Sequence, residues 1–254
     1  MAESSKQLSI ITVSSNDFER VKRTVESLLG VDRRVEHIIV LPFNDSESID
    51  FLVDFLEQNP NVALSYVHDK GEGIYQAMAI GVAQATARYF TFWNAGDVLS
   101  STEELSKMLN HVSLCSADWV LTNGQFDWIE YPTPSLANLT SFMLQEKGGY
   151  VSHQCILFKT DSYFEREVFN LNYKVAADTH QIYESYQRSI PELLDFSIVC
   201  VEPGTFSAIN NRRARLEVLV IVGTKLRGLN RLKALKNFLT NELSHFLRKI
   251  PQIR

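Results

Sequence analysis

The sequence predicts an α/β domain built on a mostly parallel, doubly wound sheet, followed by a basic helical extension. Three observations carry this. Apolar, β-branched runs alternate with segments of helical periodicity through the first 125 residues. Each strand is separated from the next by one helix and short polar breaks, the spacing of parallel strands joined by crossover helices. Beyond residue 211 the charge balance inverts: residues 1–211 hold 14 Lys/Arg against 28 Asp/Glu, and residues 212–254 hold 11 against 2.

The elements follow in order. "LSIITVS" (8–14) is a buried strand, and "DFERVKRTVESLLG" (17–30) is a helix with Val21, Val25, Leu28 and Leu29 on one stripe, closed by Gly30. "VEHIIVLP" (35–42) is the second strand. A helix over 46–60 aligns Ile49, Leu52, Val53 and Leu56, and "NVALSYV" (61–67) is the third strand. "GIYQAMAIGVAQAT" (73–86) is a helix apolar on most sides, hence well buried. "RYFTFW" (88–93) is the fourth strand, 101–112 a helix opened by a Ser or Thr cap with Glu in its first turn, and "ADWVLTNG" (117–124) the fifth strand. Past residue 125 the alternation fades. An edge strand and a Pro-bounded turn in "FDWIEYPTPS", a strand over 150–159, a strand then a turn over 196–207, a helix over 176–187 starting at or near Asp178, and two helices over 212–249 broken around Gly228 are expected. The expected organisation is an α/β half over 1–125, a second half of the same domain over 126–211, and the basic helical extension over 212–254.

With 254 residues and 45% hydrophobic content the chain can bury one full domain. Cys115, Cys155 and Cys200 are too scattered for a metal site or a disulfide framework, so they read as reduced thiols in a cytoplasmic protein. The N-terminus lacks the basic start and apolar core of a signal peptide, and no window is long enough to span a membrane. The basic extension reads two ways: a cap attracted to an acidic body, or an arm docking on an anionic membrane surface from the cytoplasmic side. Nucleic acid is a poor partner for a chain with net charge −5.

In open parallel sheets ligands bind beyond the carboxyl ends of the strands, near the switch point. The loops to watch are therefore Ser14–Asp17, Leu41–Ser46 and Asn94–Asp97. No P-loop, GxGxxG, HExxH or GxSxG is present. "DKGEGIYQAM" (69–78) sets glycines before a helix N-terminus, which suits an anion but also suits an ordinary left-handed turn. Asp97, in "YFTFWNAGDVLS" (89–100), is either a hard oxygen ligand for a divalent cation or the cap of the next helix. His153 and Cys155 share a face only if their strand is regular, and a buried thiol is normally inert.

Taken together, "LSIITVS", "EHIIV", "DKGEGIYQAMAIGVAQA", "YFTFWNAGD", "SHQCILF", "YKVAAD" and "PGTFS" resemble the family 2 glycosyltransferases of GT-A fold, a Rossmann-like α/β architecture. The nearest branch builds colanic acid and similar bacterial surface polysaccharides. The resemblance runs from about residue 8 to 210 and lies in the ordered set of segments. It implies transfer of a sugar from a nucleotide-diphosphate sugar, UDP-linked, to a saccharide or lipid-linked acceptor, with inversion and with a divalent metal, Mn or Mg, bridging the diphosphate. It implies Asp97 as metal ligand and Asp178 as the base, with His153 and Gln154 on the acceptor side. Thr12, Val13, Ser14, Asn44, Lys70, Asn94 and Ala95 are expected to hold the nucleotide. The enzyme would lie in the cytoplasm, on the inner face of the membrane.

The chain departs from the branch in places. Where the branch ends its second strand in Asp-Gly-Gly-Ser, this sequence reads Leu41-Pro42-Phe43-Asn44, and a Leu side chain accepts no hydrogen bond. The Asp, Asn and Lys of the family's third helix are Gln76, Ala79 and Ile80. A catalytically impaired member, acting as a sugar-nucleotide sensor or assembly partner, is the alternative reading.

Overall fold

The structure, a computed structural model, describes residues 6–126, 129–130, 134–147, 151–164, 168–202 and 210–249. The chain runs β1 (Leu8–Val13), α1 (Phe18–Ser27), β2 (Val35–Pro42), α2 (Ser46–Gln58), β3 (Leu64–Asp69), α3 (Ile74–Val82), β4 (Tyr89–Asn94), β5 (Val98–Leu99), α4 (Thr102–Val112) and β6 (Trp119–Phe126). It continues through β7 (Ile129–Glu130), α5 (Leu136–Met143), a 3₁₀ turn (His153–Cys155), β8 (Ile156–Lys159), α6 (Thr160–Phe164), α7 (Ala177–Arg188), β9 (Glu192–Val201), α8 (Asn211–Lys225) and α9 (Gly228–Lys249).

Among the described residues the strands form one sheet in the order β3-β2-β1-β4-β8-β6-β9-β5, with β7 paired to β6. The long ladders, β1 with β2, β1 with β4 and β2 with β3, are parallel and in register over six residue pairs each. β8 enters antiparallel between β4 and β6, and β5 pairs antiparallel with β9.

The alternation of side chains along β1 and β2 explains the layers. Ile11, Val13, Ile38 and Val40 face α3, whose Ala77, Met78 and Val82 pack on them. Ile39 and Leu41 point the other way, into a cluster with Val21 and Val25 of α1 and Leu52 and Phe55 of α2. A Cβ on Gly81 would stand 2.4 Å from Ile11 Cγ2, so only glycine lets α3 lie this close to the sheet. Helices α1, α2 and α4 are opened by Asp17, Asp45 and Ser101, each accepting from a backbone N–H of the first turn.

The second half differs from its expected outline. A regular strand over 150–159 is replaced by the His153–Cys155 turn before a short β8. His153 and Cys155 therefore do not form the side-by-side pair that a regular strand would make. Gln154 and Cys155 are both buried within this turn. β9 starts at Glu192 rather than near 196, and β5, α5 and α6 were not foreseen. The expected edge strand in "FDWIEYPTPS" is present as β7, and the rest of that stretch lies largely outside the described residues. Helices α8 and α9 are not a free arm: Ile221, Val222 and Ala234 are fully buried in the same cluster as α3 and α7. All three cysteines are buried free thiols.

Candidate active site

Strand β1 has β2 on one side and β4 on the other, so the chain changes direction across the sheet there. Beyond the carboxyl ends of these strands lies a cavity of about 380 Å³. Val13 and Ser14 line it from β1, Pro42 from β2, and Asn94, Ala95 and Asp97 from the turn after β4. Asp69, Gly71, Gly73 and Ile74 close it from the β3–α3 loop. A larger cleft of about 660 Å³ lies at the opposite ends of β2 and β3, away from these groups.

The β3–α3 loop is shaped to approach a ligand. Gly71 and Gly73 take φ values of 72° and 109°, and Asp69 Oδ1 accepts from Gly71 N at 2.9 Å. No side chain caps α3, so its first-turn N–H groups remain as donors at the cavity wall. Two further polar atoms there, Ser14 Oγ and Asn94 Oδ1, are buried without a hydrogen-bond partner. A donor-rich helix end and unspent polar atoms suit a polyanionic, hydroxyl-rich ligand.

The turn after β4 is held tightly. Asp97 is 1% exposed; its Oδ2 accepts from Asn94 N at 2.7 Å and its Oδ1 from Glu202 N at 2.9 Å. The cap reading of Asp97 is thereby excluded, because Ser101 caps α4. Gly96, at φ 104°, lets the turn close against Glu202, whose Oε2 would lie 1.8 Å from a Cβ there. Glu202 in turn pairs with Arg20 at 2.9 Å and Arg23 at 3.3 Å. Burial pushes the Asp97 carboxyl up to about 6, against the opposing pull of the two N–H groups, His153 and Gln154.

The His153–Cys155 turn joins this carboxylate to a second one. Gln154 Oε1 accepts from Ser152 Oγ, which leaves its amide NH₂ as the group that helps hold the Asp97 carboxyl down. Its neighbour His153 places Nδ1 3.4 Å from Asp178 Oδ2. Asp178 sits in the first turn of α7, and its Oδ1 accepts from Thr179 N at 2.7 Å and Tyr75 Oη at 3.0 Å. Burial alone would raise the Asp178 carboxyl, but His153, the Thr179 N–H and Tyr75 outweigh it and hold the group below the usual carboxylate range. Burial, reinforced by Asp178, drives the Tyr75 hydroxyl far upward, so it stays a donor. Helix α3 thus shows its N-terminus to the cavity and Tyr75 to Asp178.

Among the described residues no three His, Cys, Asp or Glu side chains gather as a metal site. The oxygens present fit a cation only in part: the Asp97 carboxylate retains lone pairs beyond those its N–H partners use, and Asn94, which lines the same cavity, has an unspent hard donor in Oδ1.

Of the residues expected from sequence, Val13, Ser14, Asn94, Ala95 and Asp97 meet at the cavity, and His153 meets Asp178. Thr12 does not join them: it is fully buried on the α1–α2 side, where its Oγ1 bonds His37 Nε2 at 2.9 Å. Asn44 and Lys70 are exposed and outside the cavity lining. Leu41 is fully buried in the apolar cluster beneath α1 and α2, and Pro42 takes the lining position. Tyr75 and Glu202 were missed as site residues; Tyr75 lay in a quoted segment, but nothing in its spacing revealed a partner 103 residues away.

The model of glycosyl transferase family 2 matches residues 9–166, well over half of the chain. The chain belongs to that family. This family 2 glycosyltransferase adopts the GT-A fold of solved relatives at low identity. S. aureus TarS (residues 1–349) superposes with a TM-score of 0.70 at 14% identity, covering 98% of this chain and 75% of that one. The same TarS fragment in complex with UDP-GlcNAc gives 0.71 at 14%, covering 97% and 76%. The mannosyltransferase PcManGT from Pyrobaculum calidifontis, in complex with GDP-Man and Mn²⁺, gives 0.64 at 14%, covering 96% and 76%. No curated protein matches the chain.

Proposed function

We propose that this glycosyltransferase transfers a sugar, with inversion, from a UDP-linked donor in the cavity beside β1 and β4 to a hydroxyl of a saccharide or lipid-linked acceptor, in surface polysaccharide synthesis. One observation supports this most: the His153–Gln154 turn links Asp97, at the donor cavity, to Asp178, outside it. The nucleoside diphosphate lies against Val13, Ser14, Asn94 and Ala95, with its phosphates at the α3 N-terminus. The acceptor comes from the side of residues 126–211. Its hydroxyl proton passes to Asp178, its oxygen bonds the anomeric carbon, and the bond to the diphosphate breaks with the electron pair leaving on the nucleoside diphosphate. Asp178, kept ionised by three donors, is oriented by His153 and Tyr75. A divalent cation held by Asp97 and Asn94 Oδ1 would supply Lewis-acid neutralisation of the leaving diphosphate. TarS with UDP-GlcNAc and PcManGT with GDP-Man support a nucleotide-sugar donor, and the Mn²⁺ of PcManGT supports a cation. The test is turnover of a panel of nucleotide sugars with and without Mn²⁺. Normal turnover by Asp178→Asn rejects the base assignment, and full turnover in chelator rejects the cation.

The burial of Leu41 favours a second reading. With no carboxylate at that position to grip the nucleoside, the protein would be a sensor or assembly partner. Calorimetry with UDP and GDP separates them: binding without turnover by any donor supports the sensor.

The partner of the extension is, on this reading, an anionic membrane surface on the cytoplasmic side. Leu229, Leu232, Leu239 and Leu243 are 84%, 64%, 59% and 59% exposed at helical spacing along α9, with Arg231, Lys233 and Lys236 among them and Arg227 just before the helix. Among the described residues no helix is long and apolar enough to cross a membrane. Because α8 and α9 also fill the core, the test is substitution and not deletion. Leu232→Ser/Leu239→Ser should abolish co-sedimentation with phosphatidylserine vesicles, and unchanged binding would reject the surface.

A further inference from the structure

The 43-residue basic extension carries only two acids, and one of them, Glu217, is spent on the loop that delivers Asp178. Three consecutive backbone N–H groups converge on its carboxylate. Lys174 N donates to Oε1 at 3.0 Å, and Val175 N and Ala176 N donate to Oε2 at 2.8 and 3.0 Å. Arg213 Nε, one helical turn back, closes the set at 2.8 Å from Oε1. The other edge of the same peptides is held too, since Val175 O, 2.8 Å from Tyr75 Oη, shares that hydroxyl's one proton with Asp178. Asp178 follows two residues after Ala176.

The cradle is anchored firmly. Helix α8 is fastened to the body by buried Ile221 and Val222, and Lys225 at its end pairs with Glu184 of α7. A carboxylate facing three parallel N–H groups accepts charge-assisted bonds, stronger than neutral ones, and leaves the loop little freedom. Burial opposes ionisation of Glu217, but these N–H groups and Arg213 hold it below the usual carboxylate range.

We propose that Glu217 is a positioning residue for catalysis: by gripping the 174–176 backbone from α8 it sets the distance of Asp178 from His153 and Tyr75. The inference rests on the reading of Asp178 as the base. It also gives the extension a role in the chemistry, not only in docking.

The test compares wild type, Glu217→Ala, Glu217→Gln and Asp178→Asn in steady-state transfer across pH. Glu217→Ala should lower kcat about tenfold, leaving KM for the nucleotide sugar unchanged because the donor cavity does not include this loop. With Asp178 released from two of its donors, the acidic limb of the kcat profile should move to higher pH, a shift that mere loss of folded enzyme cannot produce. Glu217→Gln, keeping one acceptor oxygen at the same reach, should fall between and serves if the alanine variant does not fold. Wild-type kcat and an unmoved limb in both Glu217 variants, with Asp178→Asn inactive, overturns this inference alone. Full turnover by Asp178→Asn, or none by wild type, overturns the base reading and this inference with it.

Discussion

The buried Asp97 carboxylate should impose a measurable pH dependence on the stability of the metal-free protein. Its folded pKa is raised from 3.8 to about 6, chiefly by burial. Between those values the folded state therefore binds more protons than the unfolded state, and stability falls as pH rises through that window. A shift of about 2 units corresponds to about 3 kcal/mol lost in full above pH 6. His37 acts in the opposite sense. Burial lowers its pKa from 6.5 to about 3, so its contribution is present above 6.5 and is lost as pH falls. The two slopes oppose each other in wild type, and the raw profile is uninformative. The variant Asp97→Asn keeps His37 and removes only the Asp97 slope. At neutral pH the substitution relieves the buried charge but turns an NH₂ toward Asn94 N or Glu202 N, a donor facing a donor at a cost of ~1–3 kcal/mol. The net change there is near zero, and only the pH dependence discriminates. Urea unfolding in chelator across the acidic to neutral range should show wild type losing ~3 kcal/mol relative to Asp97→Asn, about half of it above pH 5. A difference that stays flat with pH would refute the buried, charge-bearing Asp97 and the site built on it.

Other perturbations have clear signs. Leu41→Asp, which restores the residue type usual at that position in the resembling branch, should cost ~4 kcal/mol or more in urea unfolding and should not improve UDP affinity, because the side chain enters the cluster of Val21, Val25, Ile39, Leu52 and Phe55. Gly81→Ala should lower Tm by several degrees: the overpacking against Ile11, ~1–3 kcal/mol, exceeds the ~1 kcal/mol gained in helix propensity. Tyr75→Phe removes one donor from Asp178, so the acidic limb of the kcat profile should move to higher pH, with KM for the nucleotide sugar unchanged.

The reach of sequence reasoning follows the range of the interactions. Apart from the two-residue β5, strand and helix positions through residue 112 were legible because local periodicity reports burial directly, and α4 opens at Ser101 as its sequence announced. In the second half the pattern misled, since Gln154 is a buried polar residue whose Oε1 is taken up by Ser152, and apolarity does not announce it. Thr12 was misplaced for a related reason: Val13 and Thr12 are adjacent in sequence but lie on opposite faces of β1, and only the position of α1 and α2 shows which face the cavity shares.

By itself the sequence determined the alternating α/β order, the basic extension, and an ordered set of segments that resembles one transferase family. Those are properties of short windows and of composition. The tertiary structure decided what Asp97 does in its turn, that His153 meets Asp178 across 25 residues and Tyr75 meets it across 103, and that Glu217 of the extension holds the loop in front of it. Such contacts depend on how twist, crossover and close helix approach bring distant residues together, and none of them leaves a local pattern in the chain.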